Sequence, residues 1–193
     1  MNKIKEPIKD NEYQVLMYHL KSDTKIRNHN KRNLMTIFTF LFHTGLRINE
    51  IQNLKVKDLI SLLKDGFCYV YTNKTKQMRK LFVSNKGQNE LKNLFEVYFK
   101  DDELEWNLIR PNNLPFEKFH KISLINQVNK YIIKVLGNNY SSHSFRIGLI
   151  TDLSLNGGNP KVIQEIIGHK NIQTTLNYIK TTDNDKINLL NVR

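Results

Sequence analysis

Residues 159–178 read NPKVIQEIIGHKNIQTTLNY, and the organisation of the chain follows from them. Asn159 is suited to cap a helix, and Pro160 fits a first turn whose N–H has no partner in any case. Val162, Ile163, Ile166 and Ile167 recur at i, i+1, i+4 and i+5, which predicts one apolar helix face. Gly168 sits where a left-handed residue ends such a helix. His169 follows at once, and Tyr178 lies nine residues further on, one short helix away. A histidine fixed at a helix end and a tyrosine one helix later can meet at a single phosphate. The alternative is a structural helix pair with a buried tyrosine.

Working upstream, SSHSFRIGLITDLSLNGG places His143 and Arg146 three apart, on one face of a helical turn. Phe145, Leu149 and Leu153, spaced by four, can pack on a neighbouring face. A surface pair is the other reading of His143 and Arg146. Residues 32–43 form a strongly apolar helix with Leu34, Ile37, Phe38, Phe40, Leu41 and Phe42, expected to be central. Gly45 breaks it, Arg47 opens the next element at the core edge, and Glu50 is placed to reach back and cap or pair with that arginine. Residues 67–71 and 80–83 read as two short strands joined by a turn crowded with cations at Lys74, Lys76 and Arg79. A cationic hairpin tip can enter a nucleic-acid groove, and a lysine there can protonate a leaving oxygen; a solvated charged turn is the alternative. Further helices are expected at 12–21 (Val15, Leu16 and Leu20 on one side), 85–100 and 122–136, with a polar, basic link at 25–31. Residues 101–115, opening with Asp101, Asp102, Glu103 and Glu105, read as a loop facing away from any nucleic acid.

The 193 residues fit one domain with a sizeable core. No run approaches a membrane span, and the charged N-terminus lacks an apolar signal core. A formal charge of +12 points to a polyanion partner, nucleic acid before membrane. The chain has no alanine, 25 asparagines, and 23 lysines against 7 arginines, a bias that suggests an AT-rich genome and makes each arginine more informative. Cys68 lies in an apolar run, excludes an internal disulfide and reads as a core residue. With no paired cysteines, no HExxH and no carboxylate cluster near the motifs, neither a metal site nor a cofactor is expected; His19, His29, His43 and His120 read as ordinary residues.

The layout IGHKNIQTTLNY closely resembles the nucleophile segment of the tyrosine recombinases, or phage-type integrases. TGLRxxE at residues 44–50 and HxxR at 143–146 match that family's two arginine motifs, in family order. Where the family commonly has histidine after the second arginine, Ile147 and Gly148 follow here. The resemblance implies a mainly α fold with a small antiparallel β-hairpin (α+β). It implies that Tyr178 is a DNA-cleaving nucleophile, that Arg47, His143, Arg146 and His169 surround the phosphate, and that Glu50 is a structural acid. A hairpin lysine would act as general acid: Lys74 is the match and Lys76 the fallback. Lys76, Arg79 and Lys170 are expected DNA contacts.

The reaction implied is site-specific recombination of double-stranded DNA through a 3′-phosphotyrosine intermediate, without metal or ATP. A topoisomerase-like nicking–closing activity, or a decayed regulatory remnant of a mobile element, are the other readings. One domain over residues 1–193 is expected, with residues 1–11 flexible and the family's N-terminal core-binding domain absent, as in the compact fimbrial DNA-inversion recombinases. Residues 183–193 are expected to form a tail helix with Ile187 and Leu190, docking on a neighbouring protomer in a tetramer on synapsed DNA. The expected setting is the cytoplasm and nucleoid, or an organelle or infected host cell of AT-rich genome.

Overall fold

In the computed structural model, which describes residues 5–72, 76–112 and 114–179, the chain folds as α1 (Asp10–Ser22), α2 (Asn28–Thr44), α3 (Ile48–Ile51), α4 (Val56–Asp65), β1 (Phe67–Thr72), β2 (Gln77–Phe82), α5 (Asn85–Tyr98), α6 (Lys121–Leu136), α7 (Ser142–Leu155), α8 (Pro160–Ile167) and α9 (Ile172–Leu176). It is mainly helical with one two-stranded antiparallel sheet, as the sequence predicts. None of the described helices is long and apolar enough to cross a membrane.

The centre is α2, whose Leu34, Ile37, Phe38, Phe40 and Leu41 are all buried. It packs against α1, α5 and α7, and the Phe38 and Phe145 rings stack with centroids 5.9 Å apart. The helix begins before the expected residue 32 because its first turn is polar and carries no apolar period to reveal it. It stops where expected, at Gly45 with φ 60°, whose missing Cβ would otherwise approach Leu149 to 2.9 Å. In the hairpin Phe67 pairs with Phe82, Tyr69 with Lys80 and Tyr71 with Met78. Cys68, Val70 and Leu81 point into the core and the alternate positions face out, the period of two expected of a half-buried strand. Cys68 is thus a core residue. A smaller cluster of Ile150, Ile163 and Ile167 joins α7 to α8, with Leu149, Leu153, Tyr178 and Ile179 packed on it.

Several expectations are corrected. Residues 5–11 are docked rather than flexible: Ile8 is 1% exposed and its N–H bonds to the Ser144 carbonyl at 3.0 Å. That approach explains Gly148, since a Cβ there would lie 2.0 Å from the Ile8 oxygen. Val15 and Val162 are exposed, at the edges of their helices' apolar faces. The 101–115 segment is not a plain surface loop, because Leu108 and Ile109 are fully buried. Within the fold Glu105 pairs with Lys55 and Lys57, and Asp102 with Arg110. His43 is nearly buried and lies 3.1 Å from Glu90. The tail at 183–193 and the hairpin residue Lys74 lie outside the described residues.

Candidate active site

Three helix boundaries build the site. At the first, α2 ends on Gly45 and α3 starts on Arg47, whose backbone N–H donates to Glu50 Oε2 at 2.9 Å. The Arg47 guanidinium turns back to Glu50 Oε1 at 3.2 Å while remaining partly open to solvent, and Glu50 itself is buried. This is the capping pair the sequence predicts.

At the second, the first turn of α7 carries His143 and Arg146. Arg146 is not half of a surface pair. It is 3% exposed, and Nη1 donates to the Gly45 carbonyl at 2.6 Å, Nη2 to the Ile167 carbonyl at 2.7 Å, and Nε to His169 Nε2 at 3.3 Å. One guanidinium therefore satisfies the C-terminal ends of both α2 and α8, where orphan carbonyls and the helix dipoles favour a cation. Burial, then the charges of Arg47 and Arg79, pull its pKa down to about 9, so it remains charged at neutral pH.

At the third boundary α8 begins on Asn159, whose side chain accepts from the Lys161 N–H with Pro160 in the first turn, and ends on Gly168 with φ 73°. That left-handed turn swings His169 inward to 8% exposure. The His169 N–H donates to the Gln164 carbonyl at 3.0 Å, and Gln164 Nε2 returns a bond to the His169 carbonyl at 2.9 Å. His169 Nδ1 lies 2.9 Å from Thr175 Oγ1 in α9. Because Arg146 Nε can only donate, His169 Nε2 must accept; the proton belongs on Nδ1, and Thr175 receives it. Arg146, His169 and Thr175 thus form one directed chain of hydrogen bonds.

Tyr178 lies just past α9 with its N–H on the Thr175 carbonyl, its ring on the small Ile150–Ile163–Ile167 cluster, and its hydroxyl 2.9 Å from His143 Nε2. The tyrosine is therefore half-buried, with its ring packed and its hydroxyl facing His143. Crowding by protein, then the charges of Arg146 and Arg47, push the His143 imidazole below its ordinary value, although the residue itself stays exposed. A neutral imidazole against a phenol can accept its proton. These side chains open on a cleft of about 860 Å³ lined by Arg47, His143, Arg146, His169 and Lys170. Two guanidiniums beside a phenol and an imidazole are suited to hold a phosphate diester and stabilise charge on its oxygens. Among the described residues no group of three or more His, Cys, Asp or Glu side chains could hold a metal ion.

The expected site residues Arg47, His143, Arg146, His169 and Tyr178 are thus brought together. Lys170 is exposed at the rim, and Lys76, with φ 53°, is exposed in the hairpin turn. Arg79, expected to contact DNA, is instead folded inward, with Nη1 on the Ile166 carbonyl at 2.9 Å. The sequence reading missed Thr175 and Gln164. Gln164 is a polar residue beside Ile163 on the buried side of α8, which is its signal, whereas nothing local marks Thr175.

Residues 6–185 match the model of the phage integrase family. A tyrosine recombinase of Pseudothermotoga lettingae is 26% identical, over 84% of this chain and 54% of that protein. Transposase A from transposon Tn554 of Staphylococcus aureus is 27% identical, over 84% of this chain and 47% of its own length. The chain spans about half the length of these relatives. Among solved structures, the fold is similar to the XerA recombinase (TM-score 0.69, 21% identity, 95% of this chain and 64% of that one). It is also similar to the Tn1549 transposon integrase in complex with transposon right end DNA (TM-score 0.73, 19% identity, 98% of this chain and 66% of that one). With residues 6–185 of its 193 matched by the family model and the fold in agreement, the chain belongs to the phage integrase family, the tyrosine recombinases.

Proposed function

We propose that the protein is a site-specific recombinase acting on double-stranded DNA, which it cleaves and rejoins through a 3′-phosphotyrosine. The observation that carries this reading is the 2.9 Å contact between Tyr178 Oη and His143 Nε2 at the mouth of a cleft holding Arg47 and Arg146. The Tyr178 oxygen attacks the phosphorus and passes its proton to His143. The bond from phosphorus to the 5′ oxygen breaks, and Lys74, or Lys76 in its place, supplies that oxygen with a proton. Arg47 and Arg146 hold the non-bridging oxygens, His169 keeps Arg146 in register, and Lys170 and Lys76 contact flanking phosphates. The phosphotyrosine conserves the energy of the broken bond, so the 5′-OH of a second strand rejoins by the reverse step, with no cofactor required.

The charge of +12 supports a duplex partner. Four protomers on two synapsed duplexes, linked through residues 183–193, and a cytoplasmic setting complete the reading. The test is incubation with nicked duplexes carrying candidate flanking sequence, followed by denaturing gel analysis. A covalent protein–DNA band that converts to recombinant strands when a 5′-OH strand is added supports the proposal. Closure of the original strand alone indicates a nicking–closing enzyme, and absence of any band overturns the proposal.

A further inference from the structure

We infer that Arg79 is a positioning residue that ties the Arg47–Glu50 pair to the Gly168–His169 turn, rather than a contact to DNA; its importance for the reaction rests on the function proposed above. Three observations converge on it. First, Arg79 Nη1 donates to the Ile166 carbonyl at 2.9 Å, while Arg146 Nη2 donates to the next carbonyl, that of Ile167, at 2.7 Å. Two arginines from different parts of the chain therefore hold successive carbonyls in the last turn of α8, immediately before His169. Second, Nη2 of Arg79 stands 3.8 Å from Glu50 Oε2, too long for a hydrogen bond but close enough for attraction. The buried Glu50 carboxylate thus lies between two cations, Arg47 on one oxygen and Arg79 near the other. Third, a Cβ on Gly168 would meet Arg79 Nε at 2.8 Å and Cδ at 3.0 Å. The arginine fills the space that any side chain at 168 would claim.

Its burial is otherwise hard to account for. The side chain is 14% exposed, and Nε and Nη2 are buried with no hydrogen-bond partner. Burying such donors is unfavourable unless the placement serves something else. What it serves is geometry: Arg79 links β2, the start of α3 and the end of α8, the three segments whose spacing fixes the distance from Arg47 to His169. A displacement of about 1 Å between groups that must grip one phosphate is enough to slow a reaction about 10²-fold.

The test compares wild type with Arg79→Met and Arg79→Lys by three readouts. In nitrogen-detected NMR of the imidazoles, the wild-type His169 signals should be those of a ring protonated on Nδ1. Arg79→Met should move them towards the averaged-tautomer position, and Arg79→Lys, which keeps charge without the fork, should move them less. Affinity for a short random-sequence duplex, and its dependence on salt, should be unchanged. Capture of nicked duplex should slow about tenfold or more in Arg79→Met. Unmoved His169 signals in both variants, or a salt slope lower by about one, as for a lost phosphate contact, overturns the inference. If wild-type protein captures no DNA, the proposed function fails while the NMR and salt readouts still decide Arg79. If Arg79→Met does not fold, Arg79→Lys carries the same readouts, with a smaller shift expected and an unmoved His169 again contradicting the role.

Discussion

The two halves of the site are held in opposite ways. The Arg146 half is built into the structure: a guanidinium at 3% exposure caps two helices and leads to a buried histidine and a buried threonine. The Tyr178 half rests on α9, five residues long, and on a satellite cluster of three buried isoleucines. A helix that short has no stability of its own in water. On the proposed function, the charge-stabilising side of the cleft is therefore preorganised by the fold, which is where rigidity benefits catalysis most. Tyr178 is held by few contacts, which on the proposed function would suit a group that moves with a captured strand.

That contrast sets the order of the expected effects. Arg146→Ala should be the most damaging: cleavage falls about 10³-fold, and thermal stability falls with it, because the Gly45 and Ile167 carbonyls lose their donor. Arg146→Lys should recover little, since one ammonium cannot replace the fork. Arg47→Ala should slow cleavage about 10²-fold, with a smaller loss of melting temperature, because its guanidinium is partly open and Glu50 keeps Arg79 nearby. Equal melting temperatures for the two alanine variants would erase the distinction between a structural and an open arginine.

Thr175→Val tests the chain of bonds that joins the halves. Removing the acceptor for His169 Nδ1–H should slow cleavage about tenfold, the scale of one lost buried hydrogen bond, and Thr175→Ser should restore it. A silent Thr175→Val would detach His169 from any such orienting role.

The smallest effect expected is one of pH. The His143 pKa is depressed, so its basic form persists below the ordinary histidine range, and the acidic limb of the cleavage profile should lie below about 6.5. The sign for stability is the same. The unfolded chain binds the proton at a higher pH than the folded one, so stability falls slightly as pH drops from about 6.5 towards the folded pKa, then levels off. His143→Gln should abolish that limb. An acidic limb above the ordinary value would contradict a neutral imidazole held among arginines.

Much of this was legible because the decisive features are local. Gly45, Gly168, Asn159 with Pro160, and the Arg47–Glu50 cap each follow from a turn geometry written within a few residues. The helical phase of HxxR and the order of the motifs brought the site residues into one list. What was not legible depends on partners far away in sequence. Arg146 looks like a surface pair until the carbonyls of Gly45 and Ile167 arrive beside it, and Arg79 looks like a groove contact until the Ile166 carbonyl at the end of α8 does the same. Gly148 has no local reason at all, only the Ile8 backbone crossing it. Val15 and Val162 fit their helical periods and are nevertheless exposed, because a period gives the direction of a face but not its width.

In the proposed reaction Tyr178, paired with His143, attacks the phosphate. Its most direct test is to trap the protein on a nicked duplex, digest the adduct and identify the linked residue by mass spectrometry. A 3′-phosphate is expected on the peptide containing Tyr178, and no adduct from Tyr178→Phe although that variant still binds DNA. A phosphate on any other residue, or an adduct that survives Tyr178→Phe, would contradict it.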